Sequence, residues 1–325
     1  MPERPRLTPA IADIRRAVRE VLPPQGTVLV ALSGGPDSLA LAAATAFEAP
    51  RAGLPAGAVI VDHGLQPGSA DVAALAAQQA QQLGLDPVLV KLVVVGQDGG
   101  PEAAARDARY EALSSAAAEL SASAMLLGHS LDDQAETVLL GLARGSGVGS
   151  IKGMAPVAGL FRRPLLGIRR SVTVQFCADS GLTPWLDPHN EDERYSRVRV
   201  RRTVLPLLES ELGPGIAEAL ARTAAMARED GEALDHFAEE LLQDLAEHAE
   251  AGISLPVTAL AVNPGAVRQR IIRLAVLAEF GVSLSRAQTL EVARLVTDWH
   301  GQGPLDLPGV RVERQGALLL FIARR

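Results

Sequence analysis

The sequence predicts an α/β protein, with a parallel sheet covered by helices, followed by a second, mostly helical domain that ends in a small β-hairpin. Three observations lead to this prediction. Short apolar runs alternate with helical segments in the first half, this alternation ends after Gly145, and long helical patterns then continue to two strand-like runs at the C-terminus. A chain of 325 residues is expected to form about two domains, which we place at 1–208 and 209–325.

The first half contains four predicted strands, of which the first two are apolar runs of the kind that is buried on both faces of a sheet. They lie at 28–32, 58–61, 88–95 and 124–127. Predicted helices follow them at 37–47, 69–83, 101–120 and 132–143. Ser69 is the expected N-cap of the second of these helices. The βαβα order implies right-handed crossovers and a parallel sheet, whose ligands bind at the carboxyl ends of the strands.

The pattern changes after the fourth helix. Glycines at 145, 147, 149 and 153 predict a mobile loop. A helix over 169–181 and an irregular stretch over 183–196 lead into a basic run. The remaining predicted elements are helices at 216–250, 264–280 and 285–299 and two strands, 310–313 and 318–322, joined by a hairpin turn at Gln315-Gly316.

Composition excludes some classes of function. Cys177 is the only cysteine, so an intrachain disulfide, a redox cysteine pair and a multi-cysteine zinc site are excluded. The net charge of −7 disfavours a dedicated nucleic-acid-binding domain but is compatible with a local basic face. No signal peptide and no membrane-spanning stretch is found, so we expect a cytoplasmic protein with no membrane partner. The sequence leaves the oligomeric state open, with a homodimer as one alternative.

The loop after the first strand carries the main chemical signal. It reads Ser33-Gly34-Gly35-Pro36-Asp37-Ser38 and opens the next helix. Backbone N–H groups and the helix N-terminus make this an anion site, and it lacks the Gly-Lys-Ser/Thr ending of a Walker loop. Asp37 fits beside phosphates if it holds Mg²⁺ against them. The alternative is a glycine turn with a capping residue.

Polar residues also follow the second and fourth strands. Asp62 and His63 would contact a ribose or the substrate, or would simply cap the strand. His129 ends the fourth strand, and Asp133 and Glu136 share one face of the next helix because they are three residues apart. Carboxylates in a first turn stabilise the helix dipole. That explains neither His129 nor the carboxylate pair, which fits an ammonium group or a Mg²⁺ ion.

Arginines are concentrated in two places. Arg109 on the third helix would neutralise a pyrophosphate or orient a substrate carboxylate, with a solvated arginine as the alternative. The segment 160–205 holds nine arginines and five acidic residues, a net of +4. Arg197, Arg199 and Arg201 alternate with valines, so an extended segment would aim them to one side and a helix would spread them. We expect contacts from this segment to a phosphate backbone.

Together these motifs resemble the tRNA(Ile)-lysidine synthases, members of the PP-loop (N-type) ATP pyrophosphatases. The matching segments are SGGPDS at 33–38, VDHGL at 61–65, GHSLDDQAET at 128–137, RPLL at 163–166, DPHN at 187–190 and RVRVR at 197–201. SGGPDS alone is typical of the whole PP-loop superfamily. The segments at 128–137 and 187–201 restrict the resemblance to the lysidine synthases. The chain departs from the family pattern at His189 and Val198, where the family often has Ser and Asn.

The resemblance implies an adenine-nucleotide α-hydrolase-like (PP-loop) domain and a two-step reaction. The C2 oxygen of the wobble cytidine in a CAU anticodon attacks the α-phosphate of ATP, and the ε-amine of free L-lysine then replaces AMP. ATP and Mg²⁺ would be bound by residues 33–38, with Asp37 as the metal ligand, and by Asp62 and His63. The reacting centre would comprise Asp37, Arg109, His129, Asp133 and Glu136. Contacts to tRNA(Ile) would come from Asn190, Arg197, Arg199 and Arg201.

Other functions use the same loop. The tRNA thiolases need cysteines beyond Cys177, and amidotransferases bring a glutaminase domain or another ammonia source. A non-catalytic nucleotide sensor would lack the carboxylates at 128–137. An RNA-binding module that retains the loop, and a PP-loop enzyme acting on a different tRNA base or an amide acceptor, are the remaining alternatives.

Overall fold

A computed structural model describes residues 7–64, 68–93, 96, 101–145, 147–187, 192–249 and 252–324. The chain forms two compact units, Met1–Met226 and Ala227–Arg325. The units divide within a long helix, whereas the boundary expected from the sequence at 208/209 precedes that helix. No helix in the described ranges combines the length and the apolar character needed to cross a membrane.

The first unit contains an α/β sheet and its helices. The strands are β1 Thr27–Ala31, β2 Ala56–Asp62, β3 Val88–Leu92, β4 Ala122–Leu126, β5 Val157–Ala158 and β6 Phe161–Arg162. The helices are α1 Pro9–Val21, α2 Pro36–Arg51, α3 Ser69–Gln82, α4 Pro101–Glu119, α5 Leu131–Arg144, α6 Val148–Ile151, α7 Arg170–Asp179, α8 Ser196–Arg199 and α9 Leu205–Leu212. A 3₁₀ turn spans Pro164–Gly167 and a π-helical turn spans Val200–Val204. Helix α10, Ile216–Leu245, belongs to both units.

The strands of this sheet follow the order β3-β2-β1-β4-β6-β5. Strands β1 to β4 and β6 run parallel, and β5 pairs antiparallel with β6. The chain builds β2 and β3 on one side of β1 and then crosses to place β4 on the other side. This reversal makes the carboxyl ends of β1 and β4 the switch point at which open parallel sheets bind ligands.

The predicted α/β class is confirmed, and the continuous apolar runs have a simple cause. Successive side chains of each strand enter opposite helical layers. Val30 and Ile60 pack in the layer formed with α1, α2, α3 and α7, whereas Leu29, Val59 and Met125 pack against α4 on the other face. Because both faces of β1 and β2 are covered, the central positions of these two strands are apolar.

One local prediction in this unit is wrong. Gly68, in a left-handed conformation with φ 82°, is the N-cap of α3, and Ser69 is its first helical residue. The four-glycine segment predicted as a mobile loop contains the helical turn α6, in which the Ser150 hydroxyl donates to the carbonyl of Gly147 at 2.7 Å. Gly141 lets Ser150 approach α5 so closely that the turn packs there. Its motion stays a prediction, and residues 94–95 of the predicted third strand lie outside the described residues.

The second unit combines helices with an antiparallel sheet. Its helices are α11 Val257–Val262, α12 Gly265–Phe280 and α13 Arg286–Thr297. Its strands are β7 Glu247–Ala249, β8 Gly252–Pro256, β9 Leu305–Leu307, β10 Val310–Gln315 and β11 Leu318–Ala323, in the order β7-β8-β11-β10-β9. The predicted hairpin is confirmed as β10–β11 and is the centre of this sheet.

Strands β7 and β8 were not expected. The helix predicted to reach residue 250 ends at Leu245. Gly252 then pairs so tightly with β11 that a side-chain carbon there would lie 1.9 Å from the carbonyl oxygen of Phe321. The strand is therefore specified by a contact with a residue about seventy positions away, which no local pattern reveals.

Candidate active site

The loop between β1 and α2 forms an anion site at the switch point. Gly34 has φ 83°, a left-handed conformation that favours glycine, and Gly35 is the N-cap of the 16-residue helix α2. The Ser33 backbone N–H donates to Ser38 Oγ at 3.1 Å, and Ser38 Oγ donates to the carbonyl of Gly35 at 3.1 Å. Pro36 is the first helical residue. The loop is thus folded around its own serine and presents a helix N-terminus to a phosphate.

The turn after β4 lies directly against this loop. A side-chain carbon on Gly128 would come within 3.0 Å of Ser38 N and 3.1 Å of the Asp37 carbonyl carbon, so the close approach depends on glycine. The next residues, His129 and Ser130, lead into α5. The structure therefore brings together the two motifs that the sequence singled out, although about ninety residues separate them.

Helix α5 presents its carboxylates through a capping box. The Ser130 backbone N–H and hydroxyl both donate to Asp133 Oδ2 at 2.8 Å, which fixes that carboxylate at the helix N-terminus. Its second oxygen, Oδ1, remains available to the cations described below. Glu136, one turn further, is completely buried. Asp133 therefore caps the helix, and its role as one of a ligand-binding carboxylate pair stays a prediction.

Arg170, at the start of α7, joins the two motifs and was not predicted as a site residue. Its guanidinium contacts Asp37 Oδ2 through Nε at 3.1 Å, Asp133 Oδ1 through Nη2 at 2.7 Å and Glu136 Oε1 through Nη1 at 3.6 Å. Its only sequence signal was membership of the basic segment 160–205. One cation thus bridges the proposed metal ligand and the carboxylate pair.

The RVRVR segment is helical, so the extended alternative is wrong. Arg201 faces the site, with Nε 2.6 Å from Glu136 Oε1 and Nη2 3.3 Å from Asp133 Oδ1. Arg197, one turn earlier, lies 3.5 Å from Glu136 and donates to Thr137 Oγ1 at 2.9 Å. Arg199 is exposed on the other side and donates to the carbonyls at 193 and 194. The three arginines therefore do not lie on one face of the segment. Asn190 lies outside the described residues.

We call Asp37, Asp133, Glu136, Arg170 and Arg201 the carboxylate–arginine cluster. Burial raises the pKa of the Asp37 carboxyl, and the nearby Arg170 only partly opposes this effect. Burial acts in the same direction on Asp133, but Arg170, Ser130 and Arg201 outweigh it and lower the pKa of Asp133. The carboxylates also raise the pKa of Arg170 above its ordinary value although burial opposes them. The cations therefore favour the charged form of Asp133, whereas at Asp37 the effect of burial prevails.

An opposite electrostatic situation surrounds Arg109. In the described part of the chain, this half-buried guanidinium has no carboxylate within ion-pair distance, and burial lowers its pKa. Burial also lowers the pKa of His129 to about 3, and Arg109 acts in the same direction. The pKa of His63 is lowered for the same two reasons. The Nδ1 atoms of both histidines are buried without a hydrogen-bond partner among the described residues. A cation with two neutral imidazoles is a suitable environment for an anion.

For Asp62 the sequence left two alternatives, a ligand contact and a cap at the strand end, and the structure favours the cap. It is buried at the end of β2, and its Oδ1 accepts a hydrogen bond from the Gly64 backbone N–H at 2.9 Å. That contact closes the turn after the strand. A nucleotide contact from Asp62 or His63 stays a prediction.

Arg169, next to Arg170, points away from the cluster. It pairs with Asp132 at 3.2 Å, Glu209 at 3.1 Å and Glu218 at 2.5 Å. Glu209 also accepts hydrogen bonds from backbone N–H groups at the start of α10. Asp132 accepts from the Arg170 backbone N–H at 2.7 Å. Arg169 therefore fixes the helix start that carries Arg170.

The residues at the loop fit a magnesium ion bound together with phosphates. No group of three or more His, Cys, Asp or Glu side chains in the described ranges is arranged to hold a metal alone. Mg²⁺ commonly uses one or two carboxylates and completes its coordination with phosphate oxygens and water. Asp37, the second residue of α2 beside the anion site, provides such a carboxylate.

The strand–loop–helix at this switch point, with an aspartate in place of a Walker lysine, defines a PP-loop protein. A family model described as a PP-loop domain matches residues 8–208. A second model, the TilS substrate binding domain, matches residues 255–318.

The chain is 65% identical to the tRNA(Ile)-lysidine synthase of Leifsonia xyli subsp. xyli, over 92% of this chain and 91% of the relative. It is 50% identical to the enzyme of the same name from Thermobifida fusca, over 94% and 95%. The chain belongs to the tRNA(Ile)-lysidine synthase family. The resemblance stated from the motifs is thereby confirmed, and so is the enzyme class, a ligase.

A solved structure with a similar fold is the U34-tRNA thiolase NcsA from Methanococcus maripaludis with its [4Fe-4S] cluster. It matches with a TM-score of 0.54 over 66% of this chain and 78% of the thiolase chain, at 21% identity. At this identity the likeness concerns the fold alone, and it confirms the PP-loop fold class.

Proposed function

We propose that the protein ligates free L-lysine to C2 of the wobble cytidine of tRNA(Ile) with a CAU anticodon, using ATP and releasing AMP and pyrophosphate. The observation that carries this proposal is the carboxylate pair Asp133 and Glu136 beside a phosphate loop, joined to Asp37 by one guanidinium. Family membership supports tRNA(Ile) as the acceptor. We place the reaction in the cytoplasm.

The first step needs a site for ATP. The loop 33–38 would bind phosphates, and Asp37 would hold Mg²⁺, which neutralises phosphate charge when bound. The C2 oxygen of the cytidine attacks the α-phosphorus, and the bond to the bridging oxygen of pyrophosphate breaks. Arg109, the cation without a carboxylate partner in the described part of the chain, is suited to the pyrophosphate that leaves. The neutral His129 beside it can donate a hydrogen bond without adding charge.

The second step needs a site for an amine. A lysine ε-ammonium has an ordinary pKa of about 10.4 and must lose a proton before it attacks. The Asp133–Glu136 pair would receive the ammonium through charge-assisted hydrogen bonds. One carboxylate of the pair would accept that proton. The amine would then form a bond to C2 as the C2–O bond breaks, and that oxygen would leave as part of AMP.

Lysine binding to the carboxylate pair requires that the lysine ammonium replace an arginine already bound there. Arg170 and Arg201 already contact both carboxylates, so an ammonium must displace at least one guanidinium from them. ATP and the tRNA backbone are polyanions that provide new partners for a displaced guanidinium. We infer that nucleotide and tRNA binding favour lysine entry for this electrostatic reason.

Contacts to tRNA are assigned to two regions. Arg199 is exposed on the opposite side of the segment from Arg201 and would bind a backbone phosphate. Residues 209–325 form the proposed tRNA-contacting domain, supported by the substrate-binding model that matches 255–318. Residues 1–208 form the proposed catalytic domain, supported by the PP-loop model that matches 8–208.

The test is lysine transfer. The protein is incubated with ATP, Mg²⁺, radiolabelled lysine and tRNA(Ile) bearing CAU, and label in tRNA and released pyrophosphate are both measured. The control tRNA differs only by uridine in place of the wobble cytidine. We expect label in the first tRNA and none in the second. Pyrophosphate release without lysine transfer would assign the protein to another PP-loop acceptor, and absence of both would overturn the proposal.

A further inference from the structure

One face of α7 lies against the start of α2. Arg170, Thr173 and Cys177 are three and four residues apart and therefore share a helix face. The Arg170 side chain contacts Asp37, Thr173 hydroxyl donates to Asp37 Oδ1, and Cys177 Sγ lies 3.5 Å from the carbonyl oxygen of Pro36. Both oxygens of the Asp37 carboxylate thus have donors, and both donors come from α7.

Thr173 contacts fewer site residues than Arg170 does. Arg170 contacts Asp133 and Glu136 as well as Asp37, whereas the contacts of the Thr173 hydroxyl are Asp37 and the carbonyl of Arg170, the latter at 2.7 Å. Thr173 is completely buried. Its hydroxyl has one hydrogen and faces two acceptors, so it can donate to Asp37 or turn to the carbonyl without leaving its place.

We propose that Thr173 is a positioning residue that orients the Asp37 carboxylate for the Mg²⁺ that enters with ATP. The hydroxyl holds Oδ1 in place before the metal arrives and keeps this hydrogen bond while Oδ2 binds the metal. The carboxylate therefore starts in a fixed orientation, and no buried hydroxyl loses its partner when the ion binds. This inference rests on the proposed magnesium role of Asp37.

A purely structural role would also place a buried threonine between α7 and α2. Thr45 in α2 provides the matched comparison, because it is also completely buried and its hydroxyl donates to a helix carbonyl, that of Leu41, at 2.8 Å. Among the described residues no hydrogen bond joins Thr45 to Asp37. Thr45→Val should therefore reproduce the loss of a buried hydroxyl without affecting the metal site.

The experiment measures ATP affinity by calorimetry on the full chain, first without divalent metal and then over a series of Mg²⁺ concentrations. The wild type is compared with Thr173→Val, Thr173→Ser and Thr45→Val. We expect Thr173→Val to raise roughly tenfold the Mg²⁺ concentration at which ATP binding is half-enhanced, because the ion must then orient the carboxylate itself. Metal-free ATP affinity should stay unchanged. Thr173→Ser and Thr45→Val should match the wild type.

The outcomes separate this inference from the proposed function. If the wild type shows Mg²⁺-dependent ATP binding and Thr173→Val has the same Mg²⁺ dependence, the positioning role is wrong and the proposed function stands. If Thr45→Val shifts the dependence as much as Thr173→Val, the effect is general packing and the inference is also wrong. If the wild type binds ATP with no influence of Mg²⁺, both the metal role of Asp37 and the inference are overturned.

Discussion

Replacement of Glu136 by glutamine tests the amine site most directly. The change keeps the shape of the side chain and removes its charge. Glu136 is completely buried and lies within 2.6 Å of Arg201 Nε, with Arg170 at 3.6 Å and Arg197 at 3.5 Å. The glutamine can still accept a hydrogen bond from Arg201, so the fold should survive.

The expected rise in the KM for lysine follows from the loss of one charge-assisted hydrogen bond. Such a bond to an ammonium contributes about 1.5–3 kcal/mol, which corresponds to a rise of roughly 10- to 150-fold in the KM for lysine. The same change removes one of the three carboxylates that pair with Arg170 and Arg201, and Arg201 loses its nearest ion-pair partner. We expect the free energy of unfolding to fall by about 2 kcal/mol, the order of the charge-dependent part of a buried pair.

The assay measures lysine transfer to tRNA(Ile) at saturating ATP over a range of lysine concentrations, together with pyrophosphate release. Glu48→Gln is the matched control, because Glu48 is also a buried glutamate held by one arginine, Arg19, through contacts of 2.9 and 3.1 Å, and it lies outside the cluster. Glu136→Gln should raise the KM for lysine and retain pyrophosphate release. An unchanged KM, or an equal rise in Glu48→Gln, would refute the assignment of the amine site.

Three further predictions concern other parts of the site. Asp37→Ala should abolish pyrophosphate release because it removes the proposed metal ligand, and a variant that still releases pyrophosphate in a coupled assay would contradict that role. Arg199→Ala should weaken tRNA binding and reduce its salt dependence, since one phosphate contact is lost; filter binding at several salt concentrations measures both, and an unaltered slope would exclude the contact. The pKa of His129 is lowered to about 3 in the folded chain, whereas the unfolded chain binds a proton on this imidazole near pH 6.5. The free energy of unfolding should therefore fall as the pH falls below 6.5, by at most about 1.4 kcal/mol per pH unit. Urea unfolding between pH 7 and 4 should therefore show a weaker pH dependence for His129→Gln, and equal slopes would contradict the buried neutral imidazole.

The parts of the site that the sequence predicts are those attached to regular elements. The loop 33–38 follows a buried strand and precedes a helix, so its place at the sheet edge is determined by parallel topology. The same argument locates His129 after β4 and Asp133 in the first turn of α5. For these residues a local pattern is sufficient, because sheet order brings strand ends together.

The parts that the sequence does not reveal depend on long-range contacts. Arg170 and Thr173 reach Asp37 across more than 130 positions, and the Trp185 backbone N–H donates to the Gly34 carbonyl at 2.9 Å. An arginine in a basic segment and a threonine in a helix have many equally ordinary roles.

The RVRVR segment shows a related difficulty. Alternating valines are typical of a strand, yet Val198 and Val200 are both buried in a helix that changes to a π-helical turn at Val200. Sequence periodicity alone could not choose between the two conformations, and the choice determined which arginines face Glu136.

At the switch point, the residues that bind ATP and the residues that bind the second substrate follow different strands. The phosphate loop follows β1 and the carboxylate pair follows β4, strands that are direct neighbours, with Leu29 opposite Met125. Substitutions after β4 can therefore alter the group that accepts or attacks without altering the loop that binds ATP. A fold of this kind can exchange its second substrate while it keeps its energy source, and the tight approach at Gly128 keeps the two regions aligned during such an exchange.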